Sequence, residues 1–301
     1  MGEGLSVYRS VVENAVEYIE ENLKKIVKVE DVSNYVKISY FHFHRIFFAT
    51  TGETLGDYIR KRRLTQAACE LLNTNNRIID IAVDYHFESQ AAFSRSFKSV
   101  YGIMPGTFRK RALQPYINQK KSLCGKNLQH RINQITLQPE ITFLDKNILL
   151  AGIKGKTSIN NNCIPALWFD FVNRMNEIKN PRDLSVAYGV SVVEENYVLH
   201  EFTKDTEYFE VVGIEVEDGT NVPDNMTLHE IVSGYYAVFQ HRGKAVHVLD
   251  TYKYIFGTWV SNSSYELDFR DNFEVYGKDY HGPEDDLSII RIFISIKKPK
   301  V

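Results

Sequence analysis

The chain has 301 residues, of which 44% are apolar and 13% aromatic, and its 36 Lys and Arg residues against 38 Asp and Glu residues give a formal net charge of −2. This composition is typical of globular proteins and excludes a disordered, low-complexity or collagen-like chain. At roughly 100 to 200 residues per domain, the length predicts two domains.

Neither a targeting segment nor a cysteine framework is visible in the sequence. The first ten residues lack the charged and apolar regions of a signal peptide, and no apolar run approaches the roughly 18 residues of a membrane span. Cys69, Cys124 and Cys163 are widely spaced and odd in number, so they match neither a disulfide framework nor a CxxC metal motif. We therefore expect a cytoplasmic protein with no membrane partner and no bound metal.

The two parts of the chain differ in charge. Residues 1–112 contain 16 basic and 13 acidic side chains, whereas residues 113–301 contain 20 and 25. No acidic residue occurs between Leu113 and Pro139, where basic side chains lie among Gln, Asn and Ser: Lys120, Lys121, Lys126 and Arg131. The pattern predicts domains at 1–112 and 138–301 joined by a basic linker at 113–137, which is read equally well as a plain solvated connection.

The first 112 residues have the apolar period of helices. Val12, Ala15, Val16, Ile19 and Leu23 recur every three or four positions, and the same spacing returns later. This predicts an all-α domain with helices near residues 8–23, 29–35, 40–50, 56–73, 78–84, 89–100 and 105–110.

Two stretches of this domain have the pattern of a helix-turn-helix. Residues 29–39 predict a short helix and a turn, and Ser39 would begin a second helix over residues 40–48. The pattern returns in residues 78–97, where Ser89 begins the second helix. The two serines are 50 residues apart, and Arg45 and Arg95 keep the same offset. A repeated constellation of this kind indicates a double helix-turn-helix domain.

The second helix of each unit is predicted to face DNA with the side chains that do not point into the core. These are Tyr40, Phe41, His44 and Arg45 in the first unit, and Gln90, Ala91, Ser94 and Arg95 in the second. Amide, guanidinium and imidazole groups suit the edges of bases in a major groove. The alternative is a solvated surface, with Arg60, Lys61, Arg62 and Arg63 as a solvent-facing charge run.

The helix predicted between the units sets their spacing. About 18 residues of helix span roughly 27 Å, which suits two reading helices in successive major grooves about 34 Å apart. A single chain would then bind double-stranded DNA without a dimer, and a homodimer stays open.

Residues 52–64, 78–98 and 101–109 resemble the DNA-binding domain of the AraC/XylS transcription regulators, including the family's signature at Gly102, Pro105, Phe108 and Arg109. The resemblance covers about residues 8–111 and implies that the two reading helices carry the DNA contacts named above. Lys37 and His86 replace the family's turn glycines, and Ala91 stands where relatives often have a polar side chain. We therefore expect the second unit to read DNA shape and phosphates more than bases.

The second half of the chain has a mixed pattern. Strands are predicted at residues 149–154, 184–193, 209–216, 235–240, 273–276 and 288–296, with helices at about 165–178 and 244–260. Each helix follows a strand, contains one tryptophan and precedes further strands. This predicts an α+β domain of two β-α-β-β repeats, each about 80 residues long, with antiparallel sheets around a central groove. A single irregular α+β domain is the alternative.

This half has no metal signature, phosphate loop or nucleophile elbow, so we expect neither a cofactor nor catalytic residues. Aromatic residues are dense around one acid, Glu274. An ionised carboxylate among aromatic rings attracts an organic cation. The predicted ligand site is Trp168, Tyr188, Tyr236, Trp259, Phe273, Glu274 and Tyr276; the alternative is that the rings are core and Glu274 is a surface acid.

Residues 234–243, 251–259, 264–266 and 272–276 resemble the GyrI-like effector-binding domain, as do residues 164–168 and 188–190 earlier in the chain. The resemblance covers about residues 138–298. It implies two repeats around a central groove, sensing of lipophilic and often cationic compounds, and an acid at Glu274 that faces the ligand. The order of the two domains resembles the Rob group of regulators.

These features favour a DNA-binding transcription regulator, an activator that contacts RNA polymerase and senses a lipophilic, possibly cationic small molecule. An enzyme is the second hypothesis: a hydrolase of hydrophobic electrophiles in which Glu274 directs a water and Tyr236 or Tyr276 donates a proton to the leaving oxygen. A binding module that sequesters drugs is the third.

Overall fold

The computed structural model describes residues 2–112, 119–193, 202–220 and 222–298. They form two compact units. The first, here called the helical unit, contains the described residues up to Asn133 together with residues 202–203 and 252–263. The second, the sheet unit, contains the remainder. Across the described ranges, no helix combines the length and the apolar character needed to span a membrane.

The helical unit confirms the predicted all-α, double helix-turn-helix domain. Its helices are α1 (Gly2–Glu21), α2 (Val29–Tyr35), α3 (Tyr40–Thr51), α4 (Leu55–Asn73), α5 (Ile78–Asp84), α6 (Gln90–Tyr101), α7 (Pro105–Arg111) and α8 (Lys126–Asn133).

Helix α4 serves both halves of this unit. Its first turns contribute Leu55 and Tyr58 to a core that also contains Phe43 and Phe47 of α3. Its later turns contribute apolar residues such as Leu71 to a second core. In that second core lie Phe93, Phe97 and Phe108. Burial of one large apolar side chain stabilises a fold by roughly 1.5–3 kcal/mol, so each core contributes to holding one helix-turn-helix against α4.

Residues 119–133, predicted as part of a linker, instead pack into the helical unit. Leu123 and Leu128 lie in the first core, and the Lys120 and Arg131 side chains are buried. Lys120 pairs with the buried Glu53. The sequence pattern placed these basic residues in solvent because no acid lies near them along the chain, but the acid they need is 67 residues away. Residues 113–118 of the predicted linker lie outside the described residues.

The sheet unit is built from β1 to β8 and two helices. The strands are β1 (Glu140–Leu144), β2 (Ile148–Thr157), β3 (Ala187–Val192), β4 (Tyr208–Glu215), β5 (Thr227–Ile231), β6 (Gly234–Arg242), β7 (Asn272–Tyr276) and β8 (Ile289–Ser295). Helix α9 (Ile164–Arg174) follows β2, and α10 (Val248–Tyr254) follows β6. The order β2-α9-β3-β4 and then β6-α10-β7-β8 confirms the two predicted β-α-β-β repeats.

Both repeats share one antiparallel sheet of eight strands, ordered β1-β6-β8-β7-β3-β4-β2-β5. The repeats meet at β3 and β7, which pair antiparallel with Gly189 opposite Glu274. Edge strands β1 and β5 were not predicted from the sequence. The symmetry places β3 and β7 at the centre of the sheet, which is where the predicted groove would lie.

Each face of the sheet has its own core. On one face, α9 packs Phe171 against Ala151, Val212 and Ile214. The opposite face has a second core that contains Val190. Because neighbouring residues of a strand point to opposite faces, the register of each strand assigns its side chains to one of these two layers.

Helix α10 starts in the sheet unit, and the chain passes into the helical unit at Tyr252. The helix continues as a π-helical turn, Ile255–Trp259, and ends with Val260–Asn262. By packing, therefore, Trp259 belongs to the helical unit, although by sequence it lies within the second predicted domain.

Candidate DNA-binding helices and ligand site

The first helix-turn-helix turns at Lys37. The Lys37 N–H bonds to the carbonyl of Asn34, and the Ile38 N–H bonds to the carbonyl of Ser33. This pair of bonds is the Schellman ending of a helix, which requires a left-handed residue, and Lys37 has φ of 56°. Ser39 occupies the N-cap position of α3, but its side chain makes no capping hydrogen bond.

The second helix-turn-helix has the same Schellman ending, at His86. His86 lies three residues before Ser89, the N-cap of α6, whereas Lys37 lies two residues before Ser39, the N-cap of α3. The His86 and Phe87 N–H groups bond to the carbonyls of Val83 and Ala82, and His86 has φ of 57°. Ser89 then caps α6, since its hydroxyl accepts the N–H of Ala92 at 3.1 Å. Both turns therefore keep the backbone conformation for which the resemblance implied glycine.

The predicted DNA-contact residues differ in exposure. Phe41 is 78% exposed, and Tyr40, Arg45, Gln90, Ala91 and Arg95 are also exposed. His44 is half-buried. Ser94 contradicts the prediction that it faces outward, because it is 9% exposed and lies beside Phe93 in the packed layer of α6. Among the described residues, neither Arg45 nor Arg95 has an ion-pair partner, which leaves both guanidinium groups available to DNA.

The predicted solvent-facing charge run on α4 is mostly structural. The Arg62 guanidinium is buried and makes two hydrogen bonds to the Glu20 carboxylate, at 2.8 and 2.6 Å. Lys61 is buried, and Arg63 donates to the carbonyl oxygens of Leu23 and Lys25. Arg62 and Arg63 thus tie α4 to α1 and its following loop, and Lys61 donates to Asn262 at 3.1 Å, so all three cations are engaged inside the helical unit.

Three of the predicted ligand residues come together on the face of the sheet that α9 covers. Tyr276 is paired with Ala187 of this face, and its hydroxyl donates a hydrogen bond to the Glu274 carboxylate. The Trp168 ring of α9 lies edge to face against Tyr276, with 4.7 Å between ring centroids. A half-buried carboxylate, a phenol and an indole therefore meet at the two central strands.

Tyr188, Tyr236 and Phe273 do not join this group. They lie in the core of the opposite face, where the Tyr236 and Phe273 rings are 5.2 Å apart. The Tyr236 hydroxyl donates to the carbonyl of Val232 at 2.7 Å. Phe273 precedes Glu274 in a strand, so the alternation of side chains places the two on opposite faces. Tyr188, Tyr236 and Phe273 are therefore core residues, which agrees with the alternative interpretation that the aromatic rings form a core.

The sequence interpretation missed a second acid, Glu210 of β4. Its side chain is 4% exposed, and its Oε2 accepts the Ser191 hydroxyl at 2.9 Å. Burial, reinforced by the charge of Glu274, raises the pKa of Glu210 to about 8. The available signal was an acid inside the apolar run Phe209–Ile214, since a charged residue is seldom found within a buried strand.

Within the described ranges, no three His, Cys, Asp or Glu residues are grouped so that they could hold a metal ion. The cysteines Cys69, Cys124 and Cys163 are free thiols.

Two protein families match the chain. The family described as "Helix-turn-helix domain" matches residues 32–111. The family described as "Integron-associated effector binding protein" matches residues 140–296, which is more than half of the chain. The two matches correspond to the double helix-turn-helix and to the eight-stranded sheet with its helices.

Several similar proteins are transcription regulators by name. The chain is 47% identical over 102 residues to the uncharacterized HTH-type transcriptional regulator YbfP of Bacillus subtilis, covering 34% of this chain and 35% of that protein, so it spans about a third of that relative. It is 35% identical to the multiple antibiotic resistance protein MarA of Escherichia coli, over 34% of this chain and 81% of MarA. The transcriptional regulator Rob of Salmonella typhimurium is 25% identical, over 82% of this chain and 83% of Rob.

Solved structures match each part separately. The DNA-binding domain of AdpA in complex with a target DNA is 23% identical and covers 33% of this chain and 90% of its own, with a TM-score of 0.32. The structure of SAV2435 bound to tetraphenylphosphonium is 15% identical and covers 53% of this chain and 94% of its own, with a TM-score of 0.42.

Proposed function

The chain belongs to the AraC family of DNA-binding transcription regulators and carries an effector-binding domain after its helix-turn-helix domain, and on this basis we propose that a lipophilic organic cation bound by the second domain controls transcription by the first. In this proposal the DNA-bound protein activates transcription through contact with RNA polymerase. Ligand control requires that the ligand favour one state of the regulator over another.

The observation that carries the effector proposal is the meeting of Glu274, Tyr276 and Trp168 on one face of the central strands. A carboxylate supplies the charge that an organic cation needs. Each ring can add about 0.5 to 2 kcal/mol of cation–π attraction. Removing a carboxylate from water costs free energy, so the site favours a ligand whose own charge offsets that cost.

Binding of a cation is tested by thermal unfolding of the full chain with tetraphenylphosphonium, a lipophilic cation of fixed charge. A ligand that binds only the folded state raises the melting temperature. We expect the increase to vanish in Glu274→Gln and to persist in Glu207→Gln, which removes an exposed carboxylate paired with Lys156. Equal shifts in both variants would reject Glu274 as the cation-binding acid.

The DNA proposal rests on the exposed reading faces of α3 and α6. Intact protein is used to select a binding site from a random pool of duplexes, and anisotropy then measures affinity for that site. We expect affinity to fall steeply with added salt and to fall by about tenfold or more in Arg45→Ala. Arg182→Ala, in the sheet unit and exposed, removes the same charge and serves as the control. Salt-insensitive binding would reject the proposal.

Transcription itself is tested with purified RNA polymerase on a template that carries the selected site. The protein is expected to increase the amount of transcript, and tetraphenylphosphonium is expected to change that amount. If the ligand binds but transcript is constant, the effector is not a regulator of this promoter.

A second candidate function, hydrolysis of hydrophobic electrophiles, is supported by the hydrogen bond between Tyr276 and Glu274. The pair supplies a carboxylate to direct a water and a phenol to protonate a leaving oxygen. Tyr236 is on the opposite face and takes no part. Turnover of an activated substrate that is lost in both Glu274→Gln and Tyr276→Phe would favour this function.

A further inference from the structure

Glu210 faces the same side of the sheet as Glu274. In the antiparallel pairing of β3 with β4, Glu210 is directly opposite Ser191. Gly189, two residues before Ser191, is directly opposite Glu274. Residues paired across strands, and residues two apart along a strand, share a face. The two acids therefore lie on either side of strand β3, on the face that α9 covers.

Gly189 lets three side chains approach the middle of strand β3. A Cβ atom added to Gly189 would lie 3.3 Å from Oε1 of Glu210, 3.5 Å from the Trp168 ring and 3.6 Å from the Tyr276 ring. These are contact distances, so the carboxyl group of Glu210 and the two aromatic rings meet directly over Gly189. Glu210 is 4% exposed, and within the described residues the hydrogen bond to its carboxyl group is the one that Oε2 accepts from Ser191. A buried carboxylate with so little hydrogen bonding is costly to ionise unless a cation pairs with it.

No described cation neutralises Glu210. The groups that face it are the hydroxyl of Ser191 on β3, the ring of Trp168 on α9, and Glu274 with Tyr276 on β7. On β2, the directly opposite residue is Gly155, which has no side chain. Of these groups, only Glu274 brings charge, and it is negative. Burial, with that charge added, raises the pKa of Glu210 to about 8, so the acid is mostly protonated at pH 7.

We propose that Glu210 is a second acid of the effector site, protonated in the free protein and ionised when an organic cation binds on this face of the sheet beside Glu210 and Glu274. Binding then exchanges one proton for one ligand charge, and the cation lies between two carboxylates. The inference rests on the proposed effector function. It specifies the ligand class further: a cation whose charge reaches the two acids, whereas a neutral molecule of the same shape leaves the proton in place.

The exchange has a measurable dependence on pH. Below about pH 8 the ligand must displace a proton, so the affinity of a fixed-charge cation rises about tenfold per pH unit. Above that pH, Glu210 is already ionised and the affinity levels off. At pH 7 the uptake of one ligand releases close to one proton. Ser191→Ala removes the hydroxyl that lowers the pKa of Glu210, so it moves the levelling to higher pH.

Calorimetric titration of the full chain with tetraphenylphosphonium provides the test. Titrations at pH 7 in buffers of different ionisation enthalpy count the protons released, and titrations from pH 6 to pH 9 give the affinity profile. We expect release of nearly one proton and a profile that rises to about pH 8 in the natural protein and in the control Glu207→Gln. We expect neither in Glu210→Gln, which keeps the shape but has no titrating proton.

The outcomes separate this inference from the function on which it rests. Absence of binding at every pH rejects the effector function and the inference with it. Binding with a flat profile and no proton release rejects the inference alone. If proton release persists in Glu210→Gln, the proton comes from another group, and the inference about Glu210 is also rejected. If Glu210→Gln does not fold, Ser191→Ala gives the answer, because an unmoved profile in that variant contradicts the assignment.

Discussion

Lys37 and His86 hold the same strained backbone conformation at the turns of the two helix-turn-helix units. Their φ angles are 56° and 57°, and each N–H closes the end of the preceding helix. The hydrogen bonds of the turn demand this conformation, so the side chain pays a steric cost that glycine would not.

We expect Lys37→Gly and His86→Gly each to raise the free energy of unfolding by about 0.5 kcal/mol or more, since relief of the left-handed strain exceeds the added entropy of the unfolded chain. Denaturant titration measures the change. Ser99→Gly, at an exposed position of α6, is the control and should lose about 0.5 kcal/mol. A loss in all three variants would show that the turns are not strained.

A side chain at Gly52, the residue that follows α3, would clash with Tyr254. Gly52 ends α3 with φ of 75°, and an added Cβ would lie 2.5 Å from the Tyr254 hydroxyl oxygen. We expect Gly52→Ala to destabilise the protein by about 2 kcal/mol or more. In a Tyr254→Phe background the hydroxyl is gone, while the ring carbons Cε2 and Cζ stay 3.3 Å from the added Cβ. The cost should therefore fall toward the backbone penalty of about 1 kcal/mol without reaching it. An identical cost in both backgrounds would contradict the contact.

The buried ion cluster of the helical unit should be sensitive to loss of its acid. Glu53 pairs with Lys120, whose Nζ also donates to Thr258 at 2.9 Å, and Arg131 donates to the carbonyl of Thr51 at 3.0 Å. Glu53→Gln leaves two buried cations uncompensated, and we expect a loss of about 3 kcal/mol in denaturant titrations. Glu13→Gln, which breaks a surface pair with Arg9, should cost less than about 1 kcal/mol.

Protein stability should depend on pH through Glu210. Its pKa is near 4.5 when the chain unfolds and about 8 in the folded protein, so the unfolded state releases a proton that the folded state retains. Stability is therefore unaffected below about pH 4.5 and falls as the pH rises toward 8, by up to about 1.4 kcal/mol per pH unit. In thermal melts, the melting temperature of Glu210→Gln should exceed that of the natural protein by an amount that grows as the pH rises from about 4.5 to about 8. A constant difference between the two would oppose a raised pKa.

The helices of the first domain were predictable because their signals are local. Periodic apolar residues and glycine at Gly52 and Gly102 mark where α3 and α6 end. Strand β5 was missed because it is a short edge strand with polar residues such as His229 and Glu230. The burial of Lys120 was missed since its partner, Glu53, is distant in sequence.

The candidate ligand site was predictable only in part. Composition pointed to Glu274 and nearby rings, but assignment to a face requires strand register. Alternation alone separates Phe273 from Glu274, whereas the position of Tyr188 depends on its pairing with Val275 across β3 and β7. Glu210 joins the site through pairing with Ser191, a relationship that no local pattern encodes.

Helix α10 and its continuation have a consequence for domain grafting. Tyr254 and Thr258 lie within the residue range of the effector-binding family match, yet they pack in the helical unit, beside Gly52 and Lys120. A chimera that exchanges the sensor for a foreign one would therefore also remove support from the loop after α3. Chimeras that retain residues 252–263 of this chain should keep a stable helical unit that binds DNA. Chimeras that replace the whole range of the effector-binding match, residues 140–296, should not.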